Sequence, residues 1–181
     1  MRILAGDYKS RKIDTINSPN TRPMMSKVRE SIFSSLQFSI PNSDVLDLYA
    51  GSGSLGIEAL SRGAQFSTFV ERSKECIKIL EKNLKGLDNN YKITNSSVDA
   101  FLQTSINKYS IVFYDPPFDF ETKIVENEIS LVGDLIEFSG HLIIHRHSSS
   151  LSIKLPKFYE IRKEKNYGQS KILILSKIWK F

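Results

Sequence analysis

The stretch from residue 45 to residue 58, Val-Leu-Asp-Leu-Tyr-Ala-Gly-Ser-Gly-Ser-Leu-Gly-Ile-Glu, most constrains the fold of this chain. It begins with a short apolar run, which is typical of a buried parallel strand. Gly51, Gly53 and Gly56 follow with the G-x-G-x-x-G spacing of a strand that turns sharply into a helix beside a cofactor. A side chain at Gly51 or Gly53 is predicted to occupy cofactor space. The spacing alone also fits glycines that serve only packing.

Two acidic residues strengthen the case for a nucleotide-like ligand. Asp47 lies inside the apolar run, where a carboxylate costs free energy unless it finds hydrogen-bond donors. Glu71 follows the next apolar run, residues 66–70. It lies about 20 residues after the glycine turn, which is the spacing at which an acidic side chain accepts hydrogen bonds from ribose hydroxyls. The glycine turn and these two acids together predict a cofactor that carries a ribose.

Apolar runs alternate with amphipathic segments through the middle of the chain, which predicts a parallel sheet with helices between its strands. Strands are predicted at 45–49, 66–71, 91–95, 109–114 and 141–145, and helices from the glycine turn to Arg62, at 73–85, near Ala100 and at 120–137. The last two runs, 159–165 and 171–179, are joined by Asn-Tyr-Gly-Gln-Ser, too short for a crossover helix, so they form a hairpin. The predicted fold class is α/β, a Rossmann-like, mostly parallel seven-stranded sheet with a C-terminal antiparallel hairpin. Class I S-adenosylmethionine-dependent methyltransferases end in this way.

The N-terminal part differs in composition from the predicted core. Residues 2–13 alternate loosely, as in an edge hairpin with Gly6 and Asp7 in its turn, and residues 17–23 contain two prolines typical of an ordered loop. Ser26 is predicted to cap a helix with an apolar face. We therefore predict a basic extension over residues 1–40, docked on a catalytic domain over residues 41–181.

Charge is distributed unevenly along the 181 residues, whose formal net charge is +5. Residues 1–29 hold seven basic and two acidic side chains, residues 148–181 hold eight and two, and the middle carries a net charge of −6. Two basic flanks around an acidic centre suit a protein that grips a polyanion at its ends, although solvated lysines near the termini give the same pattern. The single cysteine, Cys76, excludes an internal disulfide framework, and no apolar run approaches the roughly 20 residues that span a bilayer, so a cytoplasmic protein is expected.

A second motif, Asp115-Pro116-Pro117-Phe118, follows the strand predicted at 109–114. Ligands of open α/β sheets bind at the carboxyl ends of strands near the switch point, so Asp115 is predicted to lie beside the glycine turn. The prolines restrict the backbone, which fixes the Asp115 carboxylate and the Pro116 carbonyl as two acceptors for an exocyclic amine. Phe118 offers a face for base stacking, worth about 1–3 kcal/mol. The motif predicts an amino-methyltransferase; the simpler interpretation is a rigid turn with an aromatic plug.

These motifs carry a resemblance that covers nearly the whole chain. The sequence at 46–64 and at 115–118 is shared among amino-methyltransferases, and the more specific segments are 2–6, 8–12, 21–23 and 28–36. Together they resemble the bacterial small-subunit rRNA guanine-N2-methyltransferases of the RsmD type. The resemblance implies methyl transfer from S-adenosylmethionine to one guanine of 16S rRNA, with an assembled or partly assembled 30S subunit as substrate and S-adenosylhomocysteine as product. We expect a monomer without a metal ion.

The resemblance also implies a role for each motif. The cofactor residues are Asp47, Tyr49, Gly51, Gly53, Gly56, Glu71, Arg72, Asp99 and Ala100, among which Asp47 and the glycines hold the methionine end, Glu71 the ribose and Asp99 the adenine amine. Asp115, Pro116, Pro117 and Phe118 hold the guanine. The RNA-binding candidates are Lys9, Arg11, Lys12, Arg22, Lys27 and Arg29, and Arg22 has an intramolecular ion pair as its alternative role. Where the family has an acid followed by histidine at the end of the fifth strand, this chain has His145-Arg146-His147, two histidines on one strand face without a visible third metal ligand.

Three rival functions remain open. The same acid-Pro-Pro-aromatic motif also serves methylation of adenine N6 and of DNA. A non-catalytic RNA-binding assembly factor could retain the fold, although the acids at positions 47, 71 and 115 argue against it. A nicotinamide oxidoreductase is disfavoured by the basic N-terminal part and the terminal hairpin.

Overall fold

The computed structural model describes residues 1–16, 24–88 and 90–179. A central sheet lies between the helices of this part of the chain. The described residues contain seven strands: β1 Asp44–Leu48, β2 Phe66–Glu71, β3 Tyr91–Asn95, β4 Tyr109–Tyr114, β5 Ile136–His147, β6 Tyr159–Tyr167 and β7 Ser170–Lys177. Their order is β3-β2-β1-β4-β5-β7-β6. Strands β1 to β5 are parallel, whereas β7 pairs antiparallel with both β5 and β6. The predicted fold class, including the terminal hairpin, is confirmed.

Five helices occur in the described residues: α1 Ser26–Ser35, α2 Ser54–Ser61, α3 Lys74–Leu84, α4 Val98–Thr104 and α5 Thr122–Leu135. Two of them start at a serine whose hydroxyl accepts a backbone N–H of the first turn, Ser73 for α3 and Ser97 for α4. The prediction that Ser26 caps α1 is wrong, because Ser26 is already helical and Met25 stands at the cap position without a side-chain hydrogen bond.

Side chains of the central strands alternate between the two faces of the sheet, as the pleat requires. On β4, Ile111 and Phe113 face a core layer that also contains residues of α1, α2 and α3. Val112 and Tyr114 face the opposite layer, which contains residues of α4 and α5. Both faces of the central strands are therefore covered, which explains why these strands are apolar runs rather than alternating ones.

The N-terminal segment is fastened to α2. The Glu58 carboxylate on that helix accepts the backbone N–H groups of Leu4 at 2.8 Å and Ala5 at 3.2 Å. The predicted edge hairpin is reduced to one antiparallel bridge between Arg2 and Lys12. Ile3 and Ile13 are buried in the same core layer as α1 and α2, so the N-terminal segment shares a core with the sheet.

The chain order of the strands reverses at β1, which lies between β2 and β4. Leu48 of β1 pairs with Tyr114 of β4, and the Asp115 N–H points to the Leu48 carbonyl at 3.5 Å. The glycine turn and the Asp-Pro-Pro-Phe turn therefore leave neighbouring strands at the same edge of the sheet. Separately, none of the helices in the described ranges is long and apolar enough to cross a membrane.

Candidate active site

The three motif glycines have different neighbours. Gly51 has a φ of 54°, and a Cβ built there meets only the Tyr49 carbonyl at 3.9 Å, so its side is open for a ligand. A Cβ on Gly53, whose φ is 79°, would instead overlap the Leu80 side chain. A Cβ on Gly56 would overlap the ring of Phe69. The prediction of cofactor space at Gly53 is therefore wrong, because Gly53 and Gly56 allow close packing of the turn and α2 against the core.

Asp47 is buried beneath the glycine turn, with an exposure of 2%. Its Oδ2 accepts the Gly56 N–H at 2.9 Å, which ties β1 to the first turns of α2. Burial raises the pKa of the Asp47 carboxyl well above its usual range, the Gly56 amide opposes the shift, and the nearby charges of Asp115 and Glu71 raise the pKa further. An acidic site of this kind favours a cationic ligand.

The other cofactor candidates surround the same edge of the sheet. Glu71 ends β2, and its carboxylate accepts the N–H of Gly51 at 2.9 Å and that of Ser73 at 2.8 Å. Asp99 lies in the first turn of α4, directly after β3, and accepts the Gln103 side-chain amide at 2.9 Å. Arg72 and Ala100 are exposed beside these acids. The structure thus brings residues from the ends of β1, β2 and β3 to one cleft.

Tyr49 belongs to a buried cluster that the sequence analysis missed. Its hydroxyl donates to Glu128 of α5 at 2.8 Å, and the Tyr114 hydroxyl donates to the same carboxylate at 2.6 Å. Burial raises the pKa of Glu128, while the two hydroxyl donors lower it. The Tyr49 hydroxyl is therefore committed to Glu128 rather than to a cofactor. The sequence does contain a signal for this cluster, because the acidic residue Glu128 lies on the apolar face of α5 between Val125 and Ile129.

The Asp-Pro-Pro-Phe turn presents an acid and an aromatic ring. The Asp115 carboxylate is 31% exposed, and its Oδ1 lies 2.7 Å from Nδ1 of His145 on β5. The Pro117 carbonyl accepts the Phe120 N–H at 3.1 Å and closes the turn, while Pro116 is buried. Phe118 is 37% exposed. The turn can hold a planar base and accept hydrogen bonds from its amine.

The structure divides the predicted RNA-binding residues. Lys9, Lys12 and Lys27 are exposed, and Arg22 lies outside the described residues. Arg11 is half-buried and donates to the carbonyls of Asn83 and Lys85.

Arg29 corrects the prediction, because it is fully buried and one of its guanidinium nitrogens donates to the Arg2 carbonyl at 2.6 Å. Burial lowers the pKa of Arg29 from its ordinary value. Its role is to hold the N-terminal segment on α1, so the prediction that it contacts RNA phosphate is wrong.

Comparison with known proteins identifies the family. The protein family described as Conserved hypothetical protein 95 matches residues 1–176. The ribosomal RNA small subunit methyltransferase D of Buchnera aphidicola is 38% identical over 92% of this chain and 88% of the relative. The protein of the same name from Escherichia coli K12 is 34% identical over 93% of this chain and 86% of the relative. The chain belongs to the ribosomal RNA small subunit methyltransferase D family.

Solved structures agree with this family. The yhhF protein of Escherichia coli superposes with a TM-score of 0.89 at 29% identity, over 99% of both chains. HI0767 of Haemophilus influenzae gives a TM-score of 0.81 at 31% identity, over 98% of both chains. SMU.776, solved in complex with S-adenosylhomocysteine, shares the fold with a TM-score of 0.71 at 14% identity, over 82% of this chain and 49% of that chain. The family member described here thus has the fold of the S-adenosylmethionine-dependent methyltransferases.

Proposed function

We propose that this protein transfers a methyl group from S-adenosylmethionine to the exocyclic N2 amine of a guanine in 16S rRNA, within an assembled or partly assembled 30S subunit. The observation that carries the proposal is the juxtaposition of the glycine turn and the Asp115–Phe118 turn at the ends of the paired strands β1 and β4. Relatives named ribosomal RNA small subunit methyltransferase D support the choice of RNA. This substrate puts the reaction in the cytoplasm, and we propose that the monomer is sufficient for it.

The side chains at the cleft fit S-adenosylmethionine. Its sulfonium and ammonium groups are cationic and would offset the repulsion among Asp47, Glu71 and Asp115. Burial is the main cause of the raised pKa of Asp47, and the charges of Asp115 and Glu71 raise that pKa further. Gly51 leaves open space beside the turn, where the methionine end would lie. The Glu71 carboxylate oxygens each keep a second lone pair for a ribose hydroxyl, and Asp99 would accept the adenine amine. When bound, the cofactor supplies an electrophilic methyl group that can be transferred directly, without a covalent enzyme intermediate.

The residues of the Asp115–Phe118 turn prepare the guanine. Its amine is delocalised into the ring and is a weak nucleophile, so the enzyme must orient it and stabilise the positive charge that develops on nitrogen. Asp115 Oδ2, which receives no hydrogen bond from the residues that the structure describes, would accept an N–H of the amine and then help its proton leave. Extrusion of the base costs a few kcal/mol. Stacking on the exposed face of Phe118 would offset part of this cost.

The test compares methyl incorporation from S-adenosylmethionine into 30S subunits from cells that lack the gene, into naked 16S rRNA and into duplex DNA, followed by mass mapping of the modified nucleotide. We expect N2-methylguanine at one position. Methylated adenine or methylated DNA would instead support the rival amino-methyltransferase functions.

Substitution of the acceptor provides the residue-level test. Asp115→Ala is expected to lower kcat by about 100-fold or more, because the amine loses its acceptor. The exposed neighbour Asp119→Ala serves as the matched control and should retain wild-type activity. Full methyl transfer by Asp115→Ala would contradict the role given to Asp115.

A further inference from the structure

His145 links the two halves of the Asp115–Phe118 turn to the terminal hairpin. It lies near the end of β5 and is 4% exposed. Its Nδ1 lies 2.7 Å from Asp115 Oδ1, and its Nε2 lies 2.9 Å from the Ser170 hydroxyl at the start of β7. Both ring nitrogens are therefore engaged, and one of the two partners is the acid of the Asp115–Phe118 turn.

The partners define which nitrogen carries hydrogen. An ionised carboxylate can only accept, so Nδ1 must be the donor to Asp115. In a neutral ring Nε2 is then an acceptor, and the Ser170 hydroxyl can rotate to donate to it. The Ser170, His145 and Asp115 side chains thus form a chain of hydrogen bonds that points toward the cleft.

The same imidazole supports the aromatic part of the turn. The Phe118 ring stands edge-on to His145, with ring centroids 5.1 Å apart and an interplanar angle of 80°. His147 makes a similar contact with the Phe118 ring at 5.5 Å and 70°. Edge-to-face geometry of this kind is favourable between aromatic rings. His145 therefore touches both the acid and the ring that are proposed to hold the guanine.

We propose that His145 is a positioning residue for methyl transfer: by donating from Nδ1 to Asp115 Oδ1 it fixes the carboxylate so that Oδ2 faces the target amine. This inference rests on the proposed function. A carboxylate held at one oxygen and partly exposed keeps a single orientation of its second oxygen, and orientation of the amine is the main requirement of the reaction. The Asp115 carboxylate sets the tautomer, and the Ser170 hydroxyl can donate to Nε2 of the neutral ring.

Two isosteric substitutions separate positioning from a purely structural role. The side-chain amide of Asn reaches about as far from the backbone as Nδ1, whereas that of Gln reaches about as far as Nε2. His145→Asn is expected to retain most of kcat, because it keeps a donor to Asp115. His145→Gln and His145→Leu should lower kcat about 100-fold with little change in KM for the 30S subunit or S-adenosylmethionine.

The matched control lies on the same strand. His141 also has each ring nitrogen 3.1 Å from a serine hydroxyl, Ser39 for one and Ser176 for the other. It faces no part of the proposed site, so His141→Gln should change thermal stability without lowering kcat. Wild-type kcat in His145→Leu, or equal losses in His145→Asn and His145→Gln with melting temperatures like that of wild type, would overturn the proposal.

A second measurement needs no substrate and so separates this proposal from the proposed function. Long-range ¹H–¹⁵N correlation spectra of the free protein should show His145 with a hydrogen on Nδ1, assigned by comparison with His145→Asn. Asp115→Ala should remove the preference for that tautomer. If the ring carries its hydrogen only on Nε2, or if Asp115→Ala leaves the spectrum unchanged, His145 does not hold Asp115, whatever the substrate is. If the tautomer is as expected but the 30S subunit is not methylated, the proposed function fails and the Asp115 contact stands.

Discussion

Two buried carboxylates, Asp47 and Glu128, hydrogen-bond to neighbouring elements beside the candidate site. Each is expensive to bury, and each is compensated by donors from another element. Glu128 joins α5 to Tyr49 after β1 and to Tyr114 of β4, while Asp47 joins β1 to the Gly56 amide of α2. The two acids therefore anchor the turns that form the site.

Glu128→Ala is expected to lower the free energy of unfolding by about 1–3 kcal/mol, because it leaves two tyrosine hydroxyls without their acceptor. Urea denaturation followed by circular dichroism measures the loss. Asn127→Ala, at an exposed position of the same helix, is the matched control. An unchanged free energy of unfolding in Glu128→Ala would show that water replaces the carboxylate.

Asp47 should make stability depend on pH. Because its pKa is raised in the folded state, the folded protein binds the proton more tightly than the unfolded chain, whose Asp pKa is about 3.9. The contribution of this group to stability is therefore complete below the unfolded pKa and is lost as pH rises toward the folded pKa.

Asp47→Asn removes that loss, so the stability of the variant relative to wild type should grow with pH, by at most about 1.4 kcal/mol per pH unit. Urea midpoints measured across the pH range provide the check, with exposed Asp134→Asn as the control. A difference that does not vary with pH would contradict the desolvation of Asp47. Above the folded pKa of Asp47, where wild type carries the carboxylate charge, S-adenosylmethionine should bind the variant more weakly than wild type.

At the level of elements, the sequence pattern predicts the parallel strands and the helices between them, because the buried residues of each element recur at the spacing of a strand or a helix. The fifth strand was predicted at 141–145 but runs from Ile136 to His147, directly after α5. Residues 138–140, Phe-Ser-Gly, lack a strand pattern. A Cβ on Gly140 would stand 2.9 Å from the Glu137 carbonyl and 3.0 Å from the Ser110 carbonyl of the neighbouring strand β4. Such contacts between distant segments are not visible in local sequence.

Contacts between distant segments also explain why predictions for single residues were wrong or incomplete. Arg29 stands in a basic stretch, and only its contact with the Arg2 carbonyl shows that it is internal. The link between His145 and Asp115 joins residues that are 30 positions apart. The motif residues themselves could be predicted, because glycine spacing and strand-ending acids are local features with a defined chemistry.

Substitution of Gly6 tests how the N-terminal segment is attached to α2. Gly6 has a φ of 85°, and a Cβ there would overlap the Ser61 carbonyl of α2. Gly86 has a similar φ of 79° but no atom within 4 Å of its Cβ position. Gly6→Ala should therefore destabilise the protein by about 1–3 kcal/mol more than Gly86→Ala. Because both substitutions strain the backbone, the difference between them measures the cost of the overlap with Ser61.

Thermal or urea denaturation of the two variants gives this difference. Hydrogen exchange should also increase at the Leu4 and Ala5 amides in Gly6→Ala, since these groups donate to Glu58. Equal destabilisation of the two variants would indicate that only backbone strain matters, and that the segment can move away from α2 without cost.

On the scale of the whole molecule, the two basic flanks are brought together. Ser31 of α1 is hydrogen-bonded to Tyr167 at the end of β6, and Lys163 of β6 donates to Ser35 of α1. Helix α1 begins in the first basic flank and β6 lies in the second, so the two flanks approach each other at this contact although they lie at opposite ends of the sequence.

Salt dependence of 30S binding should report these contacts. Replacing the exposed Lys9, Lys12 and Lys27 by alanine is expected to reduce the slope of log K against log salt by about 0.7–0.9 for each phosphate contact that is lost. A triple variant at Lys78, Lys85 and Lys92, exposed lysines of the central segment, is the charge-matched control. Equal slopes of log K against log salt in the two triple variants would indicate that the rRNA does not bind at Lys9, Lys12 and Lys27.

Helix α2 is anchored at several points along its short length. Its entry holds the glycine turn through the bond between Asp47 and Gly56, and its later residues Glu58 and Ser61 bind the N-terminal segment. With eight residues it makes only about two turns, too few to bend between its ends. A displacement of the N-terminal segment would therefore reach the glycine turn as a rigid tilt of α2. An engineer who changed the N-terminal segment to redirect the protein to another RNA would have to adjust the glycine turn at the same time.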